Sequence, residues 1–166
     1  FKTNLFISGD LKGLSCSEES ISGLIELLIE TEPKLEKKIK SRPINLNFIT
    51  KKEIQDLNSK FLNKDQPTNV LSFPSDGLDL SDELLGDIAI CSELIVEEAI
   101  SQGKETQDHL THIFVHGVLH LLGFDHEEHS SSEQMESLEI KILKKIGVAD
   151  PYWKHLLCAC VYKLRR

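Results

Sequence analysis

Apolar and polar positions along the chain alternate between two periods, and the switches between them mark the elements. Ile44, Leu46 and Phe48 alternate with Asn45 and Asn47, the period of a half-buried strand. Lys2 to Ile7 reads as a shorter strand, Val70 to Phe73 as an apolar strand closed by Pro74 and suited to a sheet edge, and Leu85 to Cys91 as a further strand. Between them the spacing changes to that of helices. Ser15 with Glu18 predicts a capping box for a helix to about Glu30, stopped before Pro33, and Thr50 with Glu53 predicts a second box opening a helix through Leu57 and Phe61. Ser92 is the expected cap of a helix to about Ser101. The next helix starts near Thr106 and carries Leu110, Ile113, Phe114, Val118, Leu119 and Leu122, ending at Gly123. Ser130 with Glu133 predicts a helix to Ile146, and Asp150 with Pro151 suits the start of a last one. Strands come early and helices late, which predicts an α+β fold with a small mixed sheet packed against helices.

Composition places this pattern in one globular domain spanning residues 1–166. Apolar residues make up 40% and charged residues 28%, an ordinary globular balance that argues against a disordered chain. No apolar run approaches the roughly 18 to 20 residues that span a bilayer, so no membrane partner is expected. The cysteines Cys16, Cys91, Cys158 and Cys160 form no CxxC pair, which fits a reduced, cytoplasmic protein. Nineteen Lys and Arg against 27 Asp and Glu give a net charge of -8. That leans against a nucleic-acid binder unless the positive charge is clustered, since phosphate neutralisation supplies most non-specific affinity. Lys34 to Arg42 holds five basic residues against one Glu, and Pro151 to Arg166 holds four with no acid; each run alone reads first as a solvated face.

The chemistry is concentrated in histidine. Six of seven histidines fall between His109 and His129. His116 and His120 are four apart on one predicted helix, so both imidazoles project from one face about a turn apart. Two ring nitrogens so placed reach one metal at roughly 2.0–2.1 Å. Gly123 then breaks the helix, and the chain can return His126 to the same point. Three protein ligands leave a position open for water, the catalytic arrangement. His109 and His112 are expected to be partly exposed polar residues of the same helix; His129 is a weaker competitor as ligand, and His155 is isolated. The spacing matches the zinc-protease motif HExxHxxGxxH except that Gly117 replaces its Glu, the general base of those proteases. A three-His metal still lowers the pKa of its water toward about 7. The residues therefore predict a metal-dependent hydrolase. A peptidase or amidase with a substitute carboxylate, for which Asp87 is a poor candidate, and a closed structural site remain open at this point.

The run His116-Gly-Val-Leu-His-Leu-Leu-Gly-Phe-Asp-His126 resembles the HGxLHLxGxDH signature of the YbeY family of bacterial single-strand-specific endoribonucleases. Two more blocks agree in order and spacing: Leu57-Asn58 through Asp65-Gln-Pro-Thr-Asn-Val-Leu-Ser-Phe-Pro74, and Leu85-Gly-Asp-Ile88. The resemblance implies a zincin-like metal-bearing central helix and one zinc ion on His116, His120 and His126, with other transition metals as alternatives. It implies cleavage of single-stranded RNA in 16S ribosomal RNA 3′-end maturation and ribosome quality control, with small-subunit proteins and an assembly GTPase as partners. Asp125 falls on the acid inside the signature, where it would orient a ligand histidine. Two positions depart from the family pattern: Leu62 stands where LNxxYR carries Arg, and Asn69 where TDVLSF carries Asp. Lys60 and Lys64 are candidate phosphate contacts in place of that Arg, and Phe73 a candidate base-stacking residue. A ribosome-assembly factor with weak or no nuclease activity is the alternative that Leu62 raises.

Overall fold

A computed structural model describes residues 5–39, 42–75, 84–125 and 129–152 of the 166. Four strands form one mixed sheet: β1 (Leu5–Gly9), β2 (Ile44–Ile49), β3 (Val70–Pro74) and β4 (Gly86–Cys91), in the order β1-β2-β4-β3. β1 and β4 run parallel to β2, while β3 is antiparallel to β4 and forms an edge, as its Pro74 requires. Ile44, Leu46 and Phe48 of β2 are buried on one face, with Ile88 and Ile90 of β4 beside them. β4 is buried on both faces because helices cover both, which is why its sequence lacks alternation.

On the first face α1 (Glu18–Thr31) and α5 (Thr106–Leu121) pack against the sheet, and α6 (His129–Lys145) packs on both of them. Their buried residues, among them Ile25, Leu28, Phe114, Leu119, Met135 and Ile142, join the β2 and β4 side chains in one core. Each such side chain contributes roughly 1.5–3 kcal/mol by leaving water. α3 (Lys51–Leu62) covers part of the second face, where Ile54 meets Leu71, Ala89 and Cys91. α4 (Ser92–Gln102) follows β4 and packs beside α5.

The Thr50–Glu53 capping box is present, with the Thr50 hydroxyl taking the Glu53 N–H and the Glu53 carboxylate taking the Thr50 N–H. The α1 box is instead Ser17 with Ser20, two residues beyond the expected Ser15 and Glu18. This start puts Glu18 and Glu19 in the first turn, where the helix dipole favours acids. Ser92 does not cap α4: its buried hydroxyl donates to the Asp10 carbonyl and ties the helix start to the loop after β1, while Cys91 takes the cap position. Among the described residues of the Lys34 to Arg42 run, Lys34, Lys37 and Lys38 are exposed, as on a solvated face, and Arg42 is half-buried. The run contains a 3-10 turn (Pro33–Leu35) and the short α2 (Glu36–Ile39). Within it Lys38 Nζ donates to the Leu122 carbonyl at 3.1 Å, and Arg42 Nη2 to the Leu84 carbonyl at 2.8 Å. The final helix expected after Pro151 and the strand residues before Leu5 lie outside the described residues.

Candidate metal centre

α5 is enclosed on nearly every side. From His109 to Leu121 every residue is buried except His112, His116 and His120, which recur at intervals of four. A helix that is buried all round sits at the centre of a fold, and here only one histidine stripe reaches toward solvent. Gly117 is the residue that presses α5 onto the sheet. A Cβ there would stand 3.2 Å from Ser72 Oγ, 3.3 Å from Ile88 Cγ2 and 3.4 Å from Val70 Cγ2. The position that holds a glutamate in the protease motif therefore faces the sheet and has no room for one.

The Nε2 atoms of His116 and His120 lie 3.1 Å apart. Each ring's other nitrogen is engaged: His116 Nδ1 lies 2.6 Å from Glu139 Oε1, and His120 Nδ1 lies 2.9 Å from the Phe124 carbonyl oxygen. An ionised carboxylate and a backbone carbonyl only accept, so each Nδ1 carries the proton and donates it. In the neutral rings both Nε2 atoms then present lone pairs to each other, an arrangement that repels unless a cation joins them. With nitrogen–zinc bonds of about 2.0–2.1 Å, nitrogens at this separation subtend about 100° at the ion, near the tetrahedral angle. Gly123, at φ +93, stops the helix in the left-handed region and lets the chain turn so that Phe124 meets His120.

Glu139 was not visible as a functional residue in the motifs. It is fully buried, on α6. Besides His116 it faces His112 Nε2, 3.3 Å from Oε2, and the Tyr152 hydroxyl, which donates to Oε2. Burial alone would push its carboxyl up, but the hydrogen bonds from His112, His116 and the Tyr152 hydroxyl outweigh it and hold the pKa at about 2. Burial lowers the pKa of His112, against the pull of Glu139. One signal was present in the sequence. Met135, Leu138 and Ile142 mark the core face of α6, and Glu139 sits among them at a position where an acid needs partners.

His112, His116 and Glu139 are also a trio that could hold a metal, with one ligand atom from each within 4.8 Å of one another. The 2.6 Å contact argues for the hydrogen bond instead, because that separation would subtend only about 80° at an ion. The expectation that His109 and His112 are partly exposed polar residues holds for His112 and is corrected for His109. His109 is 3% exposed, with Nε2 2.7 Å from Glu98 Oε2, and His112 has Glu139.

Asp125 lies just past the helix, exposed, with its N–H donating to Ser131 Oγ at 3.3 Å. His126 and the side chain of His129 lie outside the described residues. Phe73, Lys60 and Lys64 are not grouped with the histidine pair. Ser72 Oγ donates to the Gly117 carbonyl on the α5 side of the sheet, so the neighbouring Phe73 faces the α3 side. There its ring meets the edge of Phe61, with centroids 5.2 Å apart, and Lys60 Nζ lies 5.1 Å from the Phe61 centroid. Lys64 is exposed beyond the end of α3. Asn69 Nδ2 donates to Glu98 Oε2 at 3.0 Å, a bond that an ionised Asp at this position could not make. Among the described residues no helix is long and apolar enough to cross a membrane.

The family model of endoribonuclease YbeY matches residues 7–147. A relative from Francisella tularensis subsp. novicida, named Endoribonuclease YbeY, is 47% identical over 114 residues, which is 66% of this chain and 70% of that protein. One of the same name from Vesicomyosocius okutanii is 38% identical over 149 residues, 89% of this chain and 99% of the relative. A solution structure from Thermotoga maritima aligns with a TM-score of 0.55 at 27% identity, over 94% of this chain and 93% of that one. With a family model running from β1 past the end of α6, and so across the whole histidine helix, the chain belongs to the endoribonuclease YbeY family.

Proposed function

We propose that the chain is a single-domain, metal-dependent endoribonuclease that cleaves single-stranded RNA, acting in the cytoplasm in 16S ribosomal RNA 3′-end maturation and ribosome quality control. The observation that carries the reading is the facing pair of Nε2 atoms on His116 and His120, each ring fixed by an acceptor on its other nitrogen. Zinc is the metal of this reading, with His126 as third ligand. When bound, it supplies Lewis-acid polarisation of a phosphoryl oxygen and lowers the pKa of a water toward about 7.

The chain's own residues do the rest. His116 and His120 hold the ion with their Nδ1 protons turned away from it. Asp125 orients a ligand imidazole from the turn after α5. Lys60 and Lys64 contact phosphates as point charges, and Phe73, whose ring is partly exposed beside Phe61 on the α3 side of the sheet, stacks a base. Small-subunit ribosomal proteins and an assembly GTPase are the proposed protein partners, which would offset the chain's acidic balance in docking.

The test is cleavage of a labelled single-stranded RNA by the zinc-loaded chain, with and without chelator, beside His120→Ala and a duplex RNA. Cleavage of the single strand alone, lost with chelator and in the variant, is expected. An intact RNA with the metal-loaded protein across salt and metal conditions would overturn the nuclease reading. A second reading, an assembly factor whose nuclease activity has faded, is favoured by Leu62, 53% exposed where the family pattern carries Arg.

A further inference from the structure

The two facing imidazoles are not held alike. His120 gives its Nδ1 proton to a backbone carbonyl, a neutral acceptor, whereas His116 gives its proton to a carboxylate. That carboxylate is itself completely enclosed, and an enclosed anion persists only where donors surround it. Glu139 has three. Oε1 accepts from His116, and Oε2 accepts from His112, one turn earlier on α5, and from Tyr152, after the end of α6. Two other chain segments, α5 and the residues after α6, thus converge on this side chain of α6, and the His116 ring it helps to fix is a ligand candidate.

We propose that Glu139 is the positioning residue that sets how tightly the His116–His120 pair holds its metal. By taking the Nδ1 proton, the carboxylate fixes the tautomer and tilt of the His116 ring and raises the basicity of Nε2. Tyr152 and His112 hold the carboxylate in place. His116 is then the stronger ligand of the pair, and His120 the more easily displaced. This rests on the zinc reading given above, and its test separates the two.

The probe is zinc alone, titrated against a chromophoric chelator with the full chain and its His120→Ala, Glu139→Gln and Tyr152→Phe variants. Alongside, long-range proton–nitrogen NMR reads which ring nitrogen of His116 carries hydrogen in the metal-free and loaded wild type. Glu139→Gln keeps the shape but turns an NH2 toward one of three donors, and a roughly 10- to 100-fold weaker zinc affinity is expected. Tyr152→Phe removes one donor and leaves the charge, so its loss is expected to be smaller. His116 is expected to carry hydrogen on Nδ1 in both states. A folded Glu139→Gln chain whose affinity lies within twofold of wild type overturns the inference, as does metal on His116 Nδ1. If Glu139→Gln does not fold, the wild-type nitrogen assignment decides: hydrogen on Nδ1 with metal on Nε2 supports the inference, and the reverse overturns it. Should His120→Ala bind zinc as tightly as wild type, the metal-pair reading itself falls, and this inference with it. If His120→Ala loses zinc while Glu139→Gln does not, only the role of Glu139 falls.

Discussion

Ser72 and Gly117 join the edge strand to the histidine helix at a point where neither has space to spare: the serine hydroxyl donates to the Gly117 carbonyl at 2.9 Å, and a Cβ on Gly117 would sit 3.2 Å from the same oxygen. Restoring the protease pattern with Gly117→Glu therefore does not place a base beside His116 and His120. It drives a carboxylate into the contact with Ile88 and Val70, and stability falls by about 3 kcal/mol or more from overpacking and an unpaired buried acid. Thermal unfolding and a peptidase assay check this. A variant that melts like wild type, or that cleaves peptides, would contradict the placement of this helix.

Glu98 gives the fold a dependence on acid that lies outside the His116–His120 pair. Burial pushes its carboxyl up, but the hydrogen bonds from His109 and Asn69 prevail and leave the pKa below its usual 4.5. A carboxyl lowered on folding contributes stability that is complete above the unfolded pKa and lost as pH falls through the folded value. Glu98→Gln is expected to cost about 1 kcal/mol near neutral pH, after allowance for its partial exposure, and to leave a stability curve that is flatter below about pH 4.5. Denaturant melts of both chains between neutral pH and pH 3 measure it. Parallel curves across that window would mean the Glu98 bonds contribute no acid dependence.

Leu62 is exposed at the end of α3, so a longer side chain there meets solvent rather than the core. Leu62→Arg is expected to tighten binding to a single-stranded RNA severalfold and to steepen the salt dependence of log K by about 0.7, one added phosphate contact. Binding isotherms at several salt concentrations read the slope. An unchanged slope would place this end of α3 away from the RNA path, and Lys60 and Lys64 with it.

Much of this arrangement was legible in the residues themselves. Alternation in β2, the Thr50–Glu53 box, Pro74 at the edge of β3 and the break at Gly123 are local signals, and each appears where the pattern placed it. The His116–His120 spacing was equally local, because i and i+4 must share a helix face. Two kinds of feature escaped. Where serines cluster, as at Ser15, Ser17 and Ser20, several caps satisfy the same rule, and the register of the buried face (Ile21, Ile25, Leu28) decides among them. Partnerships across distant segments, such as Glu139 with His116 or Glu98 with His109, leave only a weak trace, an acid on an apolar face or a histidine taken for a surface residue. The inward turn of His109 follows from α5 being covered on nearly all sides, which no single helix's pattern reveals.

Metal-dependent cleavage by this chain requires the two facing imidazoles of His116 and His120 to be a metal centre. Equilibrium dialysis of zinc against the wild-type chain and its His116→Ala and His120→Ala variants, each checked for folding by thermal melting, tests that directly. One tightly held zinc per wild-type chain, lost or greatly weakened in both variants, is the predicted result. Zinc retained at full stoichiometry and affinity by either folded variant, or a wild-type chain that binds none, would contradict it.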